Sequence, residues 1–415
     1  MRRALSGIVI LVCTVGVSQG QNLDLIPKYA SGGNRGMAGV GIGSVSPPSS
    51  FDLDPACLAH ATQYFASFSE LATASKYELN ITNSGIASLL YDWGIGRLSI
   101  PEITLGGSIA EGWGIGVGYV HRISLLLQSK LRAVTGSTML NQETGGGLDG
   151  YSVAVGGSFS DNMRFGVALY RYAGTMTSEV QGDFHGADLD KSAFLKTILR
   201  GWSVRGGVRY EFSPFVAGIV CESPASLSVA ANSGFSNDGK YAPLIPAQLP
   251  ESWQIPFSVG IGAAYEDSAW TVAVDVRSRN YQQSEMRVSL YDLEGAPSWG
   301  SITEVRLGLR VYPLSRRDMP LLLGYGYLPQ LYSSSEIVGK DVNNQLEVVS
   351  LQHTGRNITH LFTAGTSLVL PFGLFHAGLE YTKTQWTMQI SGSTVKQQEY
   401  TEKKYIYYMM LDVMF

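Results

Sequence analysis

The chain has 415 residues, of which 45% are hydrophobic and only 15% are charged. Soluble proteins carry roughly 25% charged residues, so this composition is poor in charge. The formal net charge of −4 argues against nucleic acid as a partner, because nucleic-acid binding favours a basic surface. Beyond residue 20 no run of 18 apolar residues occurs, which argues against transmembrane helices.

Residues 1–20 have the features of a secretory signal peptide. Two arginines precede a short apolar stretch at 5–17, and residues 18–20 supply a small-residue cleavage site. The stretch is too short to cross a bilayer as a helix, which needs about 20 residues. A lipoprotein signal at Cys13 is a less favoured alternative, because cleavage there would divide the apolar stretch. We therefore expect an exported protein.

Residues 21–60 lack the pattern of a strand. Their centre, residues 31–43, is dense in Gly, which permits tight turns and close approach to other elements. The chain then passes through Pro47 and Pro48 to residues 52–58. A turn-rich segment of this kind, when it precedes a barrel, can extend into the periplasm or fold into the lumen as a plug.

From about residue 62 onward, large apolar residues alternate with small or charged ones. Successive side chains of a strand point to opposite faces, so this period of two predicts strands with one apolar face. The other face is rich in Gly, Ala and Ser, with Arg and acidic residues in mixture. Clear examples are 113–119, 151–155, 165–169, 257–261, 270–276 and 305–311.

A soluble β-sandwich and a membrane barrel both produce this alternation. In a sandwich the polar face meets water and would carry many Lys, Thr and Glu residues. Here that face carries small residues and mixed charges such as Arg205, Arg209 and Glu211, which can pair across a lumen. The 48 Gly and 22 Tyr residues also suit a barrel. We predict an all-β fold, in which residues 61–415 form a transmembrane antiparallel β-barrel of about 14 strands in a Gram-negative outer membrane.

The last eleven residues, 405–415, support this prediction. Their odd-numbered members are apolar or aromatic and fall on one face of a strand that ends at Phe415. An outer-membrane barrel ends in this way, because its last strand closes against the first and faces lipid. We expect contact with outer-membrane lipids and recognition by the barrel-assembly machinery through the strand that ends at Phe415.

Two long intervals interrupt the alternation. Residues 174–200 include a short amphipathic helix candidate at 188–199, and residues 222–254 are rich in Pro, Ser and Asn. Long loops of such barrels lie on the extracellular side. These intervals are therefore either ordinary loops or docking surfaces for another protein. The apolar residues that would form such a surface are Phe194, Leu195, Leu244 and Ile245.

The sequence offers little catalytic chemistry. Residues 145–150 match a dinucleotide-binding glycine pattern, but they lead into a strand, which is the wrong context. No two His residues have metal-ligand spacing, and we expect neither metal nor cofactor. Some outer-membrane barrels are lipid hydrolases or acyltransferases, and His360 near Ser367 or Thr363 is the candidate for that alternative. We expect no enzymatic activity.

Two short motifs carry a family resemblance. Residues 35–41 are Arg-Gly-Met-Ala-Gly-Val-Gly, and residues 54–58 are Asp-Pro-Ala-Cys-Leu. The chain thereby resembles the FadL-like family of long-chain fatty-acid transporters, which includes a PorV-like branch. That family pairs an Arg-Gly-Met-Gly-Gly type stretch with a downstream Asn-Pro-Ala-Gly-Leu type motif. This chain departs from it with Asp54 in place of Asn and Cys57 in place of Gly.

The resemblance implies a barrel of fourteen strands whose lumen holds residues 21–60 as a hatch. It also implies passive uptake of hydrophobic small molecules such as long-chain fatty acids, past the hatch and optionally through a gap in the wall. A buried Asp54 would then need Arg35 or another cation, or a proton. The residues assigned to the hatch and ligand path are Asn34, Arg35, Met37, Asp54, Pro55 and Ala56.

Two other functions remain open. A PorV-like barrel would dock secreted proteins or a secretion machine through the long loops. A general polar porin is less favoured, because the Gly-dense segment suggests an occluded lumen.

Overall fold

A computed structural model describes most of the chain beyond residue 21. The predicted signal peptide at 1–20, Leu244 and Ile245 lie outside the described residues. The described ranges are 22–24, 32–44, 46–80, 93–132, 138–184, 191–236, 252–281, 301–313, 319–329, 337–342, 345–353, 358–390 and 396–415.

Within these ranges the chain is almost entirely β-structure. Three short helical segments precede the long strands: Gly32–Arg35 and the 3-10 segments Pro48–Asp52 and Pro55–His60. No helix in the described part of the chain is long and apolar enough to span a membrane. The strands are β1 Asn22–Asp24, β2 Phe65–Asn80, β3 Trp93–Ala110, β4 Trp113–Arg132, β5 Thr138–Ser160, β6 Met163–Phe184, β7 Lys191–Phe212, β8 Phe215–Glu222, β9 Ala225–Ser236, β10 Ser252–Ile255, β11 Ser258–Glu266, β12 Trp270–Asn280, β13 Ser301–Val311, β14 Leu321–Pro329, β15 Ile337–Val342, β16 Gln345–His353, β17 Ile358–Leu370, β18 Gly373–Ile390 and β19 Lys396–Met414.

The strands form one closed antiparallel barrel. Closure comes from β19 and β2, which pair from Glu399 opposite Asn80 to Met414 opposite Phe65. Some strands are two halves of one barrel strand: β8 and β9 both pair with β7, and β10 and β11 pair with β9 and β8. Likewise, β16 and β17 both pair with β18. The wall therefore has the 14 strands that the sequence predicts.

The two ends of the barrel differ in their connections. Two residues separate β3 from β4, β5 from β6, β7 from β8 and β17 from β18, all at the same end. The chain end meets the start of the barrel there, because Tyr64 and Phe415 exchange backbone hydrogen bonds of 3.2 and 3.1 Å. Short turns of outer-membrane barrels face the periplasm, so we call this the turn end and the opposite one the loop end.

The outer surface of the barrel is apolar. Val153 is 56% exposed and Ile261 60%, whereas their inward neighbours Ala154 and Gly260 are buried. Aromatic rings group in two bands on this surface, as they do at the two interfaces of a bilayer. The band near the turn end contains Trp113, Phe165, Tyr210, Phe212, Phe215, Tyr265 and Trp270. The second contains Tyr119, Tyr151, Tyr325, Phe362, Tyr381 and Tyr405. This surface and the closed barrel establish an outer-membrane architecture.

The predicted interruption at 174–200 is wrong in most of its length, and the one at 222–254 is wrong in the parts that the structure describes. Residues 191–212 form β7 where a helix at 188–199 was expected, and β9 and β10 occupy much of the second interval. Phe194 and Leu195 thus belong to a strand, with Phe194 opposite Glu179 on one side and Gly234 on the other. Pairing on both sides satisfies the backbone, and this outweighs the weak preference of a short isolated helix.

Candidate functional site

The N-terminal segment, defined here as residues 32–61, packs against the inward face of the barrel. It joins β2 at the turn end and contacts strands around most of the circumference. Its apolar side chains are fully buried, among them Met37, Val40, Phe51 and Leu58, each 0% exposed. The sequence of this segment lacks the alternating pattern of a strand, and contacts with the wall hold it in place. Two parts of the wall make different kinds of contact.

One part, which we call the glycine-lined wall, consists of β4–β8, β11, β13 and β14. Inward-facing glycines let the N-terminal segment approach its backbone directly. A Cβ atom added to Gly166 would lie 2.2 Å from the Pro55 carbonyl carbon, and one at Gly114 would lie 2.2 Å from the Leu58 carbonyl oxygen. The alternating glycines of the sequence are therefore explained by close packing. Further members of this contact are Gly116, Gly156, Gly207, Gly218, Gly262, Gly308 and Gly324.

A buried ion pair fixes Asp54 to this wall. The Asp54 carboxylate accepts a hydrogen bond from the Ala56 N–H at 3.0 Å, which caps the second 3-10 segment. Its other oxygen is 2.7 Å from the Arg209 guanidinium, and both side chains are 0% exposed. Arg209 also donates to the Gly41 carbonyl at 3.0 Å. The expected cation for Asp54 is thus Arg209; Arg35 binds elsewhere.

Buried charges of β12 and β13 hold the Gly-dense turn of the segment. The Asp275 carboxylate accepts from the N–H groups of Gly41 and Ile42 at 2.8 and 3.1 Å. The Arg306 guanidinium donates to the carbonyl of Ala38 at 2.9 Å. Ala38 has a φ of 57°, in the left-handed region where Gly is usual, so these contacts stabilise a costly conformation.

A third set of charges surrounds Asp52. Arg122 donates to its carboxylate at 2.9 Å and the Tyr170 hydroxyl donates at 3.0 Å. Arg205 donates to the Asp52 carbonyl oxygen and, at 2.8 Å, to Glu222. Because these groups are almost fully buried, each charge requires such a partner.

Cys57 lies in the centre of this packing. The described cysteines Cys57 and Cys221 are free, and Cys57 is fully buried, 3.3 Å from the Arg209 guanidinium. Burial raises the pKa of the Cys57 thiol to about 12. The thiol is therefore protonated and unreactive at neutral pH, which makes it a reporter of whether the segment opens.

The other part, which we call the polar wall, consists of β17–β19, β2 and β3. Here side chains, rather than glycine backbone, meet the N-terminal segment. Thr363 donates to the Gly36 carbonyl at 2.7 Å, and Arg35 pairs with Glu380, with 3.1 Å between Nη2 and Oε2. Ser49 donates to Asp412 at 3.3 Å. The buried polar side chains on the inward face of this wall include Ser67, Ser69, Glu102, Thr104, Thr363, Ser367, His376, Glu380, Lys404 and Asp412.

The ladder between β3 and β4 ends before either strand does. These strands pair from Ala110 opposite Trp113 up to Glu102 opposite Val120, and their described pairing ends there. Pro101 stands at this point; it has no N–H to donate to a ladder. Beyond it β3 continues along β2 alone, while β4 pairs with the short strand β1. We call this parting of the strands the wall gap.

An apolar layer covers the inner wall on the loop-end side of the ion pairs. Its side chains are 5% exposed or less and form one cluster with Phe51 and Leu58 of the N-terminal segment. Apolar surface therefore extends without interruption from the inner wall to the segment. The members of this layer are Ile123, Leu148, Met176, Leu199, Leu227, Trp253, Ile255, Tyr281 and Ile302.

Of the residues predicted for the hatch and ligand path, Arg35, Met37, Asp54, Pro55 and Ala56 contact the wall, whereas the contacts of Asn34 lie within the segment. Asn34 is buried and donates to Ser46 at 2.8 Å, while Met37 packs beside Gly308. Pro55 and Ala56 lie against Gly166. The sequence did not single out the wall partners of these residues, because each pairing joins positions far apart in the chain.

The predicted pairing of His360 with Ser367 or Thr363 is wrong. His360 is even-numbered and Ser367 and Thr363 are odd-numbered on one strand, so they point to opposite faces. His360 contacts the outward-facing Tyr325 at 2.9 Å. Ser367 instead contacts His376 at 2.6 Å, which contacts Asp412 at 3.3 Å. Within the described ranges, no cluster of His, Cys, Asp and Glu is placed to hold a metal ion.

No family model and no curated protein sequence matches the chain. Several solved structures are similar to the chain in fold. A FadL homologue from Pseudomonas aeruginosa has a TM-score of 0.64 and 11% identity, covering 95% of this chain and 100% of that one. The monoaromatic hydrocarbon channel CymD gives a TM-score of 0.57 and 13% identity, with 95% and 99% covered. The toluene transporter TodX from Pseudomonas putida gives 0.55 and 14%, with 94% and 99% covered. The chain thus has the barrel fold of FadL-type channels.

Proposed function

We propose that this protein is a channel for the passive uptake of hydrophobic compounds across the outer membrane, with the N-terminal segment as its hatch. The observation that carries the proposal is the apolar layer, which leads along the inner wall to the N-terminal segment beside the wall gap. A molecule entering from the loop end would remain on apolar surface down to Phe51 and Val120. It would leave sideways through the wall gap, towards the lipid.

Physical chemistry favours this path over a water-filled pore. Burial of apolar surface contributes about 25 cal/mol per Å², so a hydrophobic molecule gains by staying on apolar side chains. Movement straight through the barrel would instead require passage through the buried ion pairs of Asp52 and Asp54. Separating such pairs is costly, because each charge would be left without its partner. The wall gap avoids that cost.

The similar structures support the class of compound. Their names describe FadL homologues, monoaromatic hydrocarbon channels and toluene transporters. Long-chain fatty acids and aromatic hydrocarbons are therefore both candidates for this chain. The alternative function, docking of another protein through long loops, has less support, because two of its predicted loop residues, Phe194 and Leu195, lie in β7.

The proposal can be tested by native mass spectrometry of the protein purified from outer membranes in mild detergent. We expect hydrophobic compounds to be retained by the wild type. They should be lost in Leu227→Gln, which places an amide in the apolar layer. The control is Leu322→Gln, an equally buried position against the N-terminal segment, which should keep them. A wild-type barrel that carries stoichiometric protein partners and no hydrophobic compound would contradict the proposal.

A further inference from the structure

Glu102 is a buried carboxylate at the edge of the wall gap that lies nearer the turn end. It lies on the inward face of β3, directly after Pro101, and its backbone pairs with Val120 at the last rung of the β3–β4 ladder. Only 1% of its surface is exposed. Its carbonyl oxygen accepts a hydrogen bond from the Ser69 hydroxyl at 3.2 Å, so the backbone of Glu102 is well fixed.

The side chain of Glu102 differs from its backbone in its hydrogen bonding. Neither carboxylate oxygen has a hydrogen-bond partner among the described residues. The charges nearest to it include Asp52 and Asp412, which repel a carboxylate, and Arg35 and Arg122, which attract it. Both arginines bind other carboxylates, Arg35 that of Glu380 and Arg122 that of Asp52. A buried carboxyl group in this position either takes up a proton or needs a further donor or counter-charge.

Other unpartnered atoms nearby have the same character. Asp412 Oδ1 and Asp52 Oδ2 are buried acceptors without a hydrogen-bond partner among the described residues, and the Ser67 and Tyr408 hydroxyls have none either. Asp412 of the polar wall and Asp52 of the N-terminal segment therefore offer further acceptor atoms on the side of the lumen that holds Glu102. A fatty-acid carboxylate placed here would be repelled. A protonated amine would supply both the missing donors and the missing charge.

We propose that Glu102 binds the ammonium group of hydrophobic amines, whose apolar part lies on the neighbouring apolar layer. Val120 and Ile123 of β4 are buried on the side of Glu102 that faces this layer. The inference rests on the proposed uptake function and narrows its substrate class from hydrophobic compounds in general to those with a cationic nitrogen. Glu102 would hold the polar end of the compound at the point where it leaves the barrel.

Three compounds of equal chain length separate this inference from general hydrophobic binding: dodecylamine, dodecan-1-ol and dodecanoate. Binding of each to the full mature protein can be measured by equilibrium dialysis in mild detergent at pH 7. The variants are Glu102→Gln, which removes the charge at nearly constant volume, and Glu70→Gln. Glu70 lies on β2 opposite Met409, on the outward face, and serves as the matched control. Heat-modifiable migration on gels verifies that both variants fold.

We expect the wild type to prefer dodecylamine over both other compounds. Glu102→Gln should reduce the affinity ratio of amine to alcohol at least about tenfold, as expected for loss of a charge-assisted hydrogen bond. Glu70→Gln should leave the ratio unchanged. If dodecanoate binds as well as dodecylamine, or if Glu102→Gln leaves the ratio unaltered, the inference is overturned while the uptake function stands. If none of the three compounds binds, the uptake function and the inference both fail.

Discussion

The two walls that hold the N-terminal segment use opposite physical means. On the glycine-lined wall, backbone meets backbone so closely that Gly114 and Gly166 leave no room for a Cβ atom, and Asp54 is paired with Arg209. At the polar wall, side chains make the contact, Thr363 from the wall and Ser49 from the segment, and buried acceptors such as Glu102 remain without partners among the described residues. One wall anchors the segment, while the other leaves polar groups available to a ligand.

This difference assigns separate tasks to the two sides of the lumen. Close-packed surfaces lose many van der Waals contacts if they separate, so movement along the glycine-lined wall is costly. The polar wall adjoins the wall gap, and its contacts with the segment are individual hydrogen bonds. We therefore expect any rearrangement during passage to occur along the polar wall and β3. Variants of the glycine-lined wall should therefore lose more unfolding free energy than variants of the polar wall.

Breaking the Asp54–Arg209 pair should have the largest effect. Arg209→Met leaves the Asp54 carboxylate buried without its counter-charge, which typically costs about 3–5 kcal/mol of unfolding free energy. Arg35→Met removes the corresponding pair on the polar wall, where Arg35 and Glu380 are 11% and 9% exposed, and should cost less. Urea unfolding in detergent, followed by tryptophan fluorescence, measures both. Equal losses would contradict the distinction between the walls.

Filling the glycine contact should have the next largest effect. In Gly166→Ala the new Cβ would meet the Pro55 backbone at 2.2 Å, and overpacking of this kind costs about 1–3 kcal/mol. The matched control is Gly206→Ala on the neighbouring strand, where the nearest atom would be 3.9 Å away. Melting temperatures from heat-modifiable gel migration should fall for the first variant only. A similar fall for both would show that the glycines act through strand stability in general.

Reactivity of Cys57 should report the same distinction locally. With a pKa of about 12, the buried thiol should react slowly with a maleimide at pH 7.5 in the folded wild type. A background with Cys13→Ser and Cys221→Ser restricts labelling to Cys57. Arg209→Met should raise the labelling rate by at least about tenfold, since it frees the anchored side. Fast labelling of the wild type would mean that the N-terminal segment is loosely held.

Removing one contact of the polar wall should have the smallest effect. Ser49→Ala deletes a hydrogen bond of 3.3 Å to Asp412, which is worth about 0.5–1.5 kcal/mol. We expect a small fall in unfolding free energy and an unchanged labelling rate of Cys57. Thr104→Val, which removes the neighbouring hydroxyl bonded at 3.4 Å to the Ser49 carbonyl, is the companion variant. A loss as large as that of Gly166→Ala would contradict our account of the polar wall.

The sequence predicts the architecture well because the barrel imposes a strict pattern on every strand. Alternation of apolar and small residues repeats along the chain, and this predicts both faces of the wall. The prediction of a helix at 188–199 is wrong because it rests on one short interval. In an interval of this length, the pattern of apolar residues does not distinguish a helix from a strand. Residues 191–199 form part of β7 because they pair with β6 and β9, and the sequence of the interval alone does not reveal these partners.

The candidate site, too, could be predicted only in part from the sequence. Residues of the N-terminal segment such as Asn34 and Asp54 could be singled out, because they lie in or next to the two motifs that carry the family resemblance. Their partners could not: Arg209 lies 155 residues from Asp54, and strand register alone brings them together. Glu102 had a detectable signal, an acidic residue after Pro101 in a strand, but only the end of the β3–β4 ladder gives that signal its meaning.

We expect the barrel to admit hydrophobic compounds and to exclude water-soluble ones. Uptake of a radiolabelled hydrophobic compound can be compared with that of a polar solute of equal size. The comparison uses cells whose outer membrane carries the protein and matched cells that lack it. We predict faster uptake of the hydrophobic compound and unchanged uptake of the polar solute. Faster entry of the polar solute, or unchanged entry of both, would contradict the account.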